Sequence, residues 1–206
     1  MDSISYTAIP GASIPKQPWW EALHRMINAS FEAKPVQLFP NEWKRLPSDS
    51  ERAVESLRAD LGEGGVMIVA FEKDGPIACA GAAPFRGFKI VERQHPEQDG
   101  ASSSPLPPQT TGHADWEILY FCISPNRRGK GLSTPLLKTL SEAISPRGAK
   151  RLLSNYVIAE TGDFWPRLGF TTIPGHEGII RKGYIPGLGL PALERDIHTR
   201  MGVREI

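Results

Sequence analysis

Residues 115–148 join three kinds of sequence almost without a spacer: the apolar run DWEILYFCIS, the turn RRGKGLS and the periodic run LSTPLLKTLSEAISPRG. A strand that passes through a glycine-rich turn straight into a helix commits the chain to a sheet with that helix packed on it. Leu132, Leu136, Leu137, Leu140 and Ile144 recur on one helical face. Pro135 fits in the first turn, where its missing N–H would have had no intrahelical partner. The strand reads as buried on both faces. At such a junction unpaired backbone N–H groups converge and the helix dipole adds partial positive charge. That makes an anion site, and phosphate is its usual guest. The plainer reading is a basic surface turn with glycines for tight geometry.

The rest of the chain supplies further elements. SISYTAI is an opening strand, and QPWWEALHRMINASFEA carries Trp19, Leu23, Met26, Ile27 and Phe31 at helical spacing. Pro35 and Pro40 end that pattern. SDSERAVESLRADLGEG is a second helix, from cap residues to Gly62. VMIVAFEKDGPIACAGAAPF is a hairpin around Asp74–Gly75. Residues 92–113, with QDGASSSPLPPQTTG inside, hold too little apolar sequence for a core and are expected to form a flexible insertion. AKRLLSNYVIA follows as a strand, ETGDFWPRLG as a short helix ended by Gly169, and FTTIP…GIIRKGYI as two last strands. LPALERDIHTRMG repeats apolar residues at 190, 193, 197 and 201, which predicts a C-terminal helix. The whole is an α/β chain with a mixed sheet in a single domain, 1–206.

Bulk properties narrow the function. A net charge of +1 argues against broad nucleic-acid or membrane-surface binding. No apolar run approaches the roughly 20 residues of a membrane span, and the opening residues do not read as a signal peptide. Cys79 and Cys122 lie in apolar stretches and read as reduced core thiols of a cytoplasmic protein. Zinc-ligand spacing is absent, and the scattered histidines (24, 95, 113, 176, 198) suggest no metal site.

The turn is not a Walker A loop, because Leu132 follows Gly131 where Ser or Thr would follow a Gly-Lys pair. Nor is it a dinucleotide fingerprint, since only Gly129 and Gly131 fit. Arg128, Gly129, Lys130, Gly131, Leu132 and Ser133 instead resemble motif A of the GNAT acyltransferase superfamily, R/Q-x-x-G-x-G/A, with Ser133 in place of the usual Gly or Ala. EILYFCISPNRRGKG resembles that family's fourth strand and turn, and FWPRLGF resembles its later lYeklGF segment. The resemblance implies a mixed, mostly antiparallel sheet flanked by helices, with acetyl-CoA as co-substrate.

It also implies roles. The amides of residues 128–133 would hold the pyrophosphate, and the pantetheine arm would lie between strands 115–124 and 151–159 against the backbone of Cys122 and Ile123. An N–H near Ile123 would polarise the thioester carbonyl. Glu117 would act as base through water, with Asp115 and His113 as nearby substitutes. Trp165, against the cofactor, replaces a common tyrosine and cannot serve as a proton-transfer acid; Tyr156 or Tyr120 could replace it. The acceptor site would draw on residues 32–48, including Phe39, Trp43, Lys44 and Arg45, on the late strands and on the 92–113 loop. Trp19 and Trp20 read as half core. The implied activity is transfer of an acyl group to an amine of a small molecule, by a monomer or homodimer. Different chemistry in the same cleft, or non-catalytic binding of coenzyme A, stays open.

Overall fold

The hairpin forms the middle of one seven-stranded sheet. The computed structural model describes residues 3–34, 36–73, 75–87, 114–186 and 189–206; the expected 92–113 insertion, His113 and Asp74 lie outside the described residues. Strands β2 (Val66–Glu72) and β3 (Gly75–Pro84) pair antiparallel, with β1 (Ser5–Pro10) on one side and β4 (Asp115–Ile123) on the other. β5 (Arg151–Val157) runs parallel to β4, the one parallel pair in the order β1-β2-β3-β4-β5-β7-β6. A parallel pair needs a crossover, which helix α3 (Ser133–Ile144) supplies.

Each face of the sheet has its own core. α3 lays Leu136, Leu137, Leu140 and Ile144 on Val66, Ile68, Ala80 and Trp116. Helices α1 (Trp20–Glu32) and α2 (Ser50–Leu61) cover the other face, with Leu23, Ile27, Leu57 and Leu61 against Met67, Val69, Cys79 and Tyr120. Each such side chain contributes roughly 1.5–3 kcal/mol by burial, so packing rather than propensity holds these helices. α2 starts where Asp49 accepts from the Arg52 amide at 2.9 Å and stops at Gly62, with φ 62°. Pro135 occupies the first turn of α3, as its missing donor requires.

The expected C-terminal helix is instead strand β7 (Ile197–Glu205), inserted between β5 and β6 (Thr171–Ile180). The period of apolar residues suggests a helix, but β5 pairs with residues 199–205 of the segment and β6 with residues 197–200 and 202–203. Gly202 fits the strand and would weaken a helix. A Cβ there would meet Phe170 at 3.2 Å and Tyr156 at 3.3 Å. The stretch read as two final strands is the single strand β6, whose register is irregular between Thr172 and Glu177. The short helix expected at 160–169 is two turns, α4 (Ile158–Thr161) and α5 (Phe164–Arg167), interrupted at Gly162 with φ 49°. Among the described residues no helix is long and apolar enough to cross a membrane.

Candidate active site

A β-bulge in β4 creates the site. Gly81 faces Tyr120 while the next residue, Ala82, faces Ile118, so Leu119 is the extra residue. Burial alternates without a break along β4, yet Trp116 and Ile118 belong to the α3 core whereas Tyr120 and Cys122 belong to the α1–α2 core. The strand therefore changes faces at Leu119, as a bulge makes it do. The ladder to β5 ends at Ile118–Ser154. Beyond that point the two strands part around a cleft of about 740 Å³, lined by Ile118, Leu119 and residues 121–123 on one strand and 154–157 on the other.

The glycine-rich turn lies at one end of this cleft. Arg128, Gly129 and Ser133 line it, whereas Leu132 is buried beneath α3 and Lys130 is exposed. Gly129 and Gly131 have φ of 74° and 75°, a conformation that favours glycine. An added Cβ at either would meet nothing within 4 Å, so conformation and not protein crowding calls for glycine. The amides of residues 129–133 donate to no acceptor among the described residues. The Arg128 guanidinium turns away to the carbonyls of Ser30 and Ala33, with Nε at 3.4 Å from the Ile123 oxygen. Its side chain clamps the end of α1, and Arg127 pairs with Glu72.

Glu117 points to the α1–α2 face, opposite Trp116 and Ile118. It does not line the cleft, but its neighbour Arg45 does. Burial, and then the Asp60 carboxylate, push the Glu117 carboxyl from 4.5 up to about 7, against the pull of Arg86 and Arg45. Asp60 accepts from Tyr120 Oη at 2.6 Å and from Arg45 Nη2 at 3.0 Å, and the same Arg45 nitrogen donates to the Leu119 carbonyl at 3.0 Å. Tyr120 is fully buried within the α1–α2 core, and desolvation drives its hydroxyl far above the usual range. Asp115 is held by Arg151 through two 2.7 Å bonds.

A raised carboxyl value means that folding favours the protonated form. That contribution is complete below the ordinary value and is lost as pH rises through about 7. Glutamine has no charge to desolvate. Glu117→Gln should thus match wild-type stability near pH 4 and exceed it at pH 8.5 by up to roughly 3 kcal/mol. Denaturant unfolding at both pH values checks this; a difference independent of pH would contradict the desolvated carboxyl.

Tyr156 and Trp165 lie on the opposite face, within the α3 core, and both line the cleft. Trp165 packs against Phe121, Phe164 and Phe170 at 5.1–5.4 Å between ring centres, and its Nε1 is buried without a partner among the described residues. Cys122 also lines the cleft, and its cross-strand partner is Cys79. Both thiols are free and buried, and the Cys122 thiol together with burial holds the Cys79 proton in place.

The segment between α1 and α2 forms the remaining wall, and Phe39, Trp43, Lys44 and Arg45 all face the cleft. Leu46, fully buried, anchors it, and Asn28 bonds both Leu46 backbone groups at 2.9 and 3.0 Å. Trp43 Nε1 donates to the Pro191 carbonyl at 3.0 Å and its ring meets Tyr184, which ties this wall to the β6–β7 connection. Trp20 is core, with Nε1 donating to Ser50, and Trp19 is partly buried. Sequence reasoning missed Asp60, Ser30, Lys34 and Glu160. Their only signal is proximity in space, between segments distant in the chain.

Residues 20–170 match the model of the acetyltransferase (GNAT) family. No curated protein matches the sequence. Solved structures share the fold at low identity. The ribosomal-protein-alanine N-acetyltransferase of Brucella melitensis is 17% identical with a TM-score of 0.59, covering 98% of this chain and 99% of that one. An N-acetyltransferase of Staphylococcus aureus Mu50 is 10% identical with a TM-score of 0.59, covering 98% of both chains. The protein yncA of Salmonella typhimurium, solved with its cofactor acetyl-CoA, is 14% identical with a TM-score of 0.58, covering 99% of this chain and 94% of that one.

Proposed function

The chain belongs to the GNAT acetyltransferase family, and from that membership we propose that it transfers an acyl group, acetyl first of all, from coenzyme A directly to an amine of a small molecule. The observation that carries this reading is the run of unpaired amides at 129–133, opening onto the cleft where β4 leaves β5. An acyl-CoA offers the matching chemistry, a pyrophosphate followed by an amide-bearing arm. The residues present fit it: an anion-binding turn, then the gap between β4 and β5 beyond their last paired residues, Ile118 and Ser154. The acetyl-CoA bound to the Salmonella neighbour supports the same assignment. In this reading residues 1–206 act as one domain.

The thioester supplies an activated acyl carbon, and the chain supplies positioning and proton handling. The amide near Ile123 is the donor for the carbonyl oxygen. Glu117, acting through water, takes the proton the amine loses as its N–C bond forms and the C–S bond breaks. Of the two candidate tyrosines, Tyr156 is the one in the cleft, and it gives a proton to the departing thiolate. These two groups lie on opposite faces of the sheet, and the parting of β4 and β5 connects them. That arrangement suits direct transfer, with donor and acceptor entering from different sides. The Trp43–Pro191 bond across the acceptor end favours a small molecule over a polypeptide passing through.

Ligand-induced stabilisation tests the assignment. CoA at a hundredfold over Kd should stabilise the native state by about 2.7 kcal/mol, which for a chain of this size raises the thermal midpoint by roughly 5–10 °C. Gly131→Asp should abolish the shift, because the turn has room for the side chain but its charge repels phosphate. An unchanged wild-type midpoint in millimolar CoA would remove the anion site. Thiol release from acetyl-CoA over an amine panel then identifies acceptors.

A further inference from the structure

One contact across the cleft has no role in this scheme. Lys34, just past α1, and Glu160, in the turn of helix after β5, both line the cleft and form an ion pair. They come from opposite walls. The end of α1 is fixed to β4, where Ser30 Oγ donates to the Ile123 carbonyl at 3.1 Å, and to the glycine-rich turn, where Arg128 donates to Ser30 and Ala33. Glu160 rides on the β5 wall. The pair therefore bridges the two strands where their own ladder has ended.

Glu160 is not an ordinary surface carboxylate. Its side chain is only 6% exposed, and while Oε2 accepts from Lys34, Oε1 is buried with no hydrogen-bond partner among the described residues. The Lys34 ammonium is held in turn over the rings of Phe31 at 4.9 Å and Phe39 at 5.5 Å. A buried charged oxygen without a donor is costly, and a donor arriving with a ligand relieves that cost.

We propose that the Lys34–Glu160 pair is a strap across the channel for the acyl-CoA arm, and that Glu160 Oε1 accepts a hydrogen bond from an amide N–H of that arm. The proposal rests on the acyl-CoA reading. It gives the β5 wall a charged acceptor for the arm, which the strand edges alone lack, and charge makes such bonds stronger than neutral ones. Lys34 holds the carboxylate in place across the cleft.

Calorimetric titration with CoA and with 3′-phospho-ADP, the same nucleotide without the arm, separates the possibilities. Glu160→Ala should weaken CoA binding roughly tenfold or more and change 3′-phospho-ADP binding less than about twofold, the nucleotide also reporting an intact fold. Glu160→Gln, which keeps a neutral acceptor, should fall between. Lys34→Met should speed CoA dissociation and leave the nucleotide's rate alone. Equal losses for both ligands would make Glu160 merely structural and overturn the proposal, as would unchanged CoA affinity or a loss confined to the acceptor amine. A wild type that binds the nucleotide as tightly as CoA would sink the strap but keep the anion site. A wild type that binds neither would end the acyl-CoA reading and the strap with it.

Discussion

Glu117→Gln is expected to lower kcat by roughly 10²–10⁴-fold, the usual worth of general-base assistance, while CoA affinity stays at the wild-type value. The carboxyl titrates at about 7, so near neutral pH it is about half ionised and suited to accept a proton and release it. Wild-type kcat/KM should rise with pH through that value, and the variant should lose this limb. The deficit should shrink at high pH, where more of the amine arrives already deprotonated. Because Glu117 stands behind Arg45 and outside the cleft lining, the proton must cross a water. Full activity in a folded variant would strip Glu117 of the role. Asp115, which is paired with Arg151, and His113 would be next to test.

The elements legible in the sequence are those whose signals are local. The hairpin, the two helices before it and the strand–turn–helix unit all follow from period, caps and turn residues within a short window. The glycines at 129 and 131 fit the positive φ they adopt, and the resemblance to motif A suggests an acyl-CoA as the ligand. β7 was misread because apolar residues at 193, 197 and 201 satisfy a helical spacing, while the slot between β5 and β6 is a property of the fold. The β4 bulge is less visible still, since burial alternates perfectly while the face changes. The motif points to the Arg128 amide as part of the anion site, whereas the partners of its guanidinium, the α1 carbonyls of Ser30 and Ala33, carry no local signal. The environment of Glu117 needed Asp60, Arg45 and Arg86, which three separate segments bring together only after folding.

Trp165→Ala is expected to cost about 3–5 kcal/mol, the range for losing a buried aromatic. The indole is 6% exposed and touches Phe121, Tyr156, Phe164 and Phe170, so its removal opens a hole between β5, α5 and α3 that those rings cannot refill. Thermal unfolding measures the loss. Trp165→Phe keeps much of the packing and removes the buried N–H, which has no partner among the described residues. It separates structure from chemistry. A thiolate leaving group has a parent acid near that of cysteine, roughly pKa 8.5, so its departure near neutral pH needs little help. Trp165→Phe should therefore hold kcat within about threefold of wild type, in contrast to general acid–base groups worth roughly 10²–10⁴-fold. Trp165→Tyr, which introduces the residue that the resemblance to the GNAT family implies at this position, should gain no more than that either, because Tyr156 already lines the cleft. A hundredfold fall in kcat for a folded Trp165→Phe would mean that the indole N–H binds a reacting group. A comparable rise for Trp165→Tyr would mean that proton delivery to the thiolate, and not the base at Glu117, limits the rate.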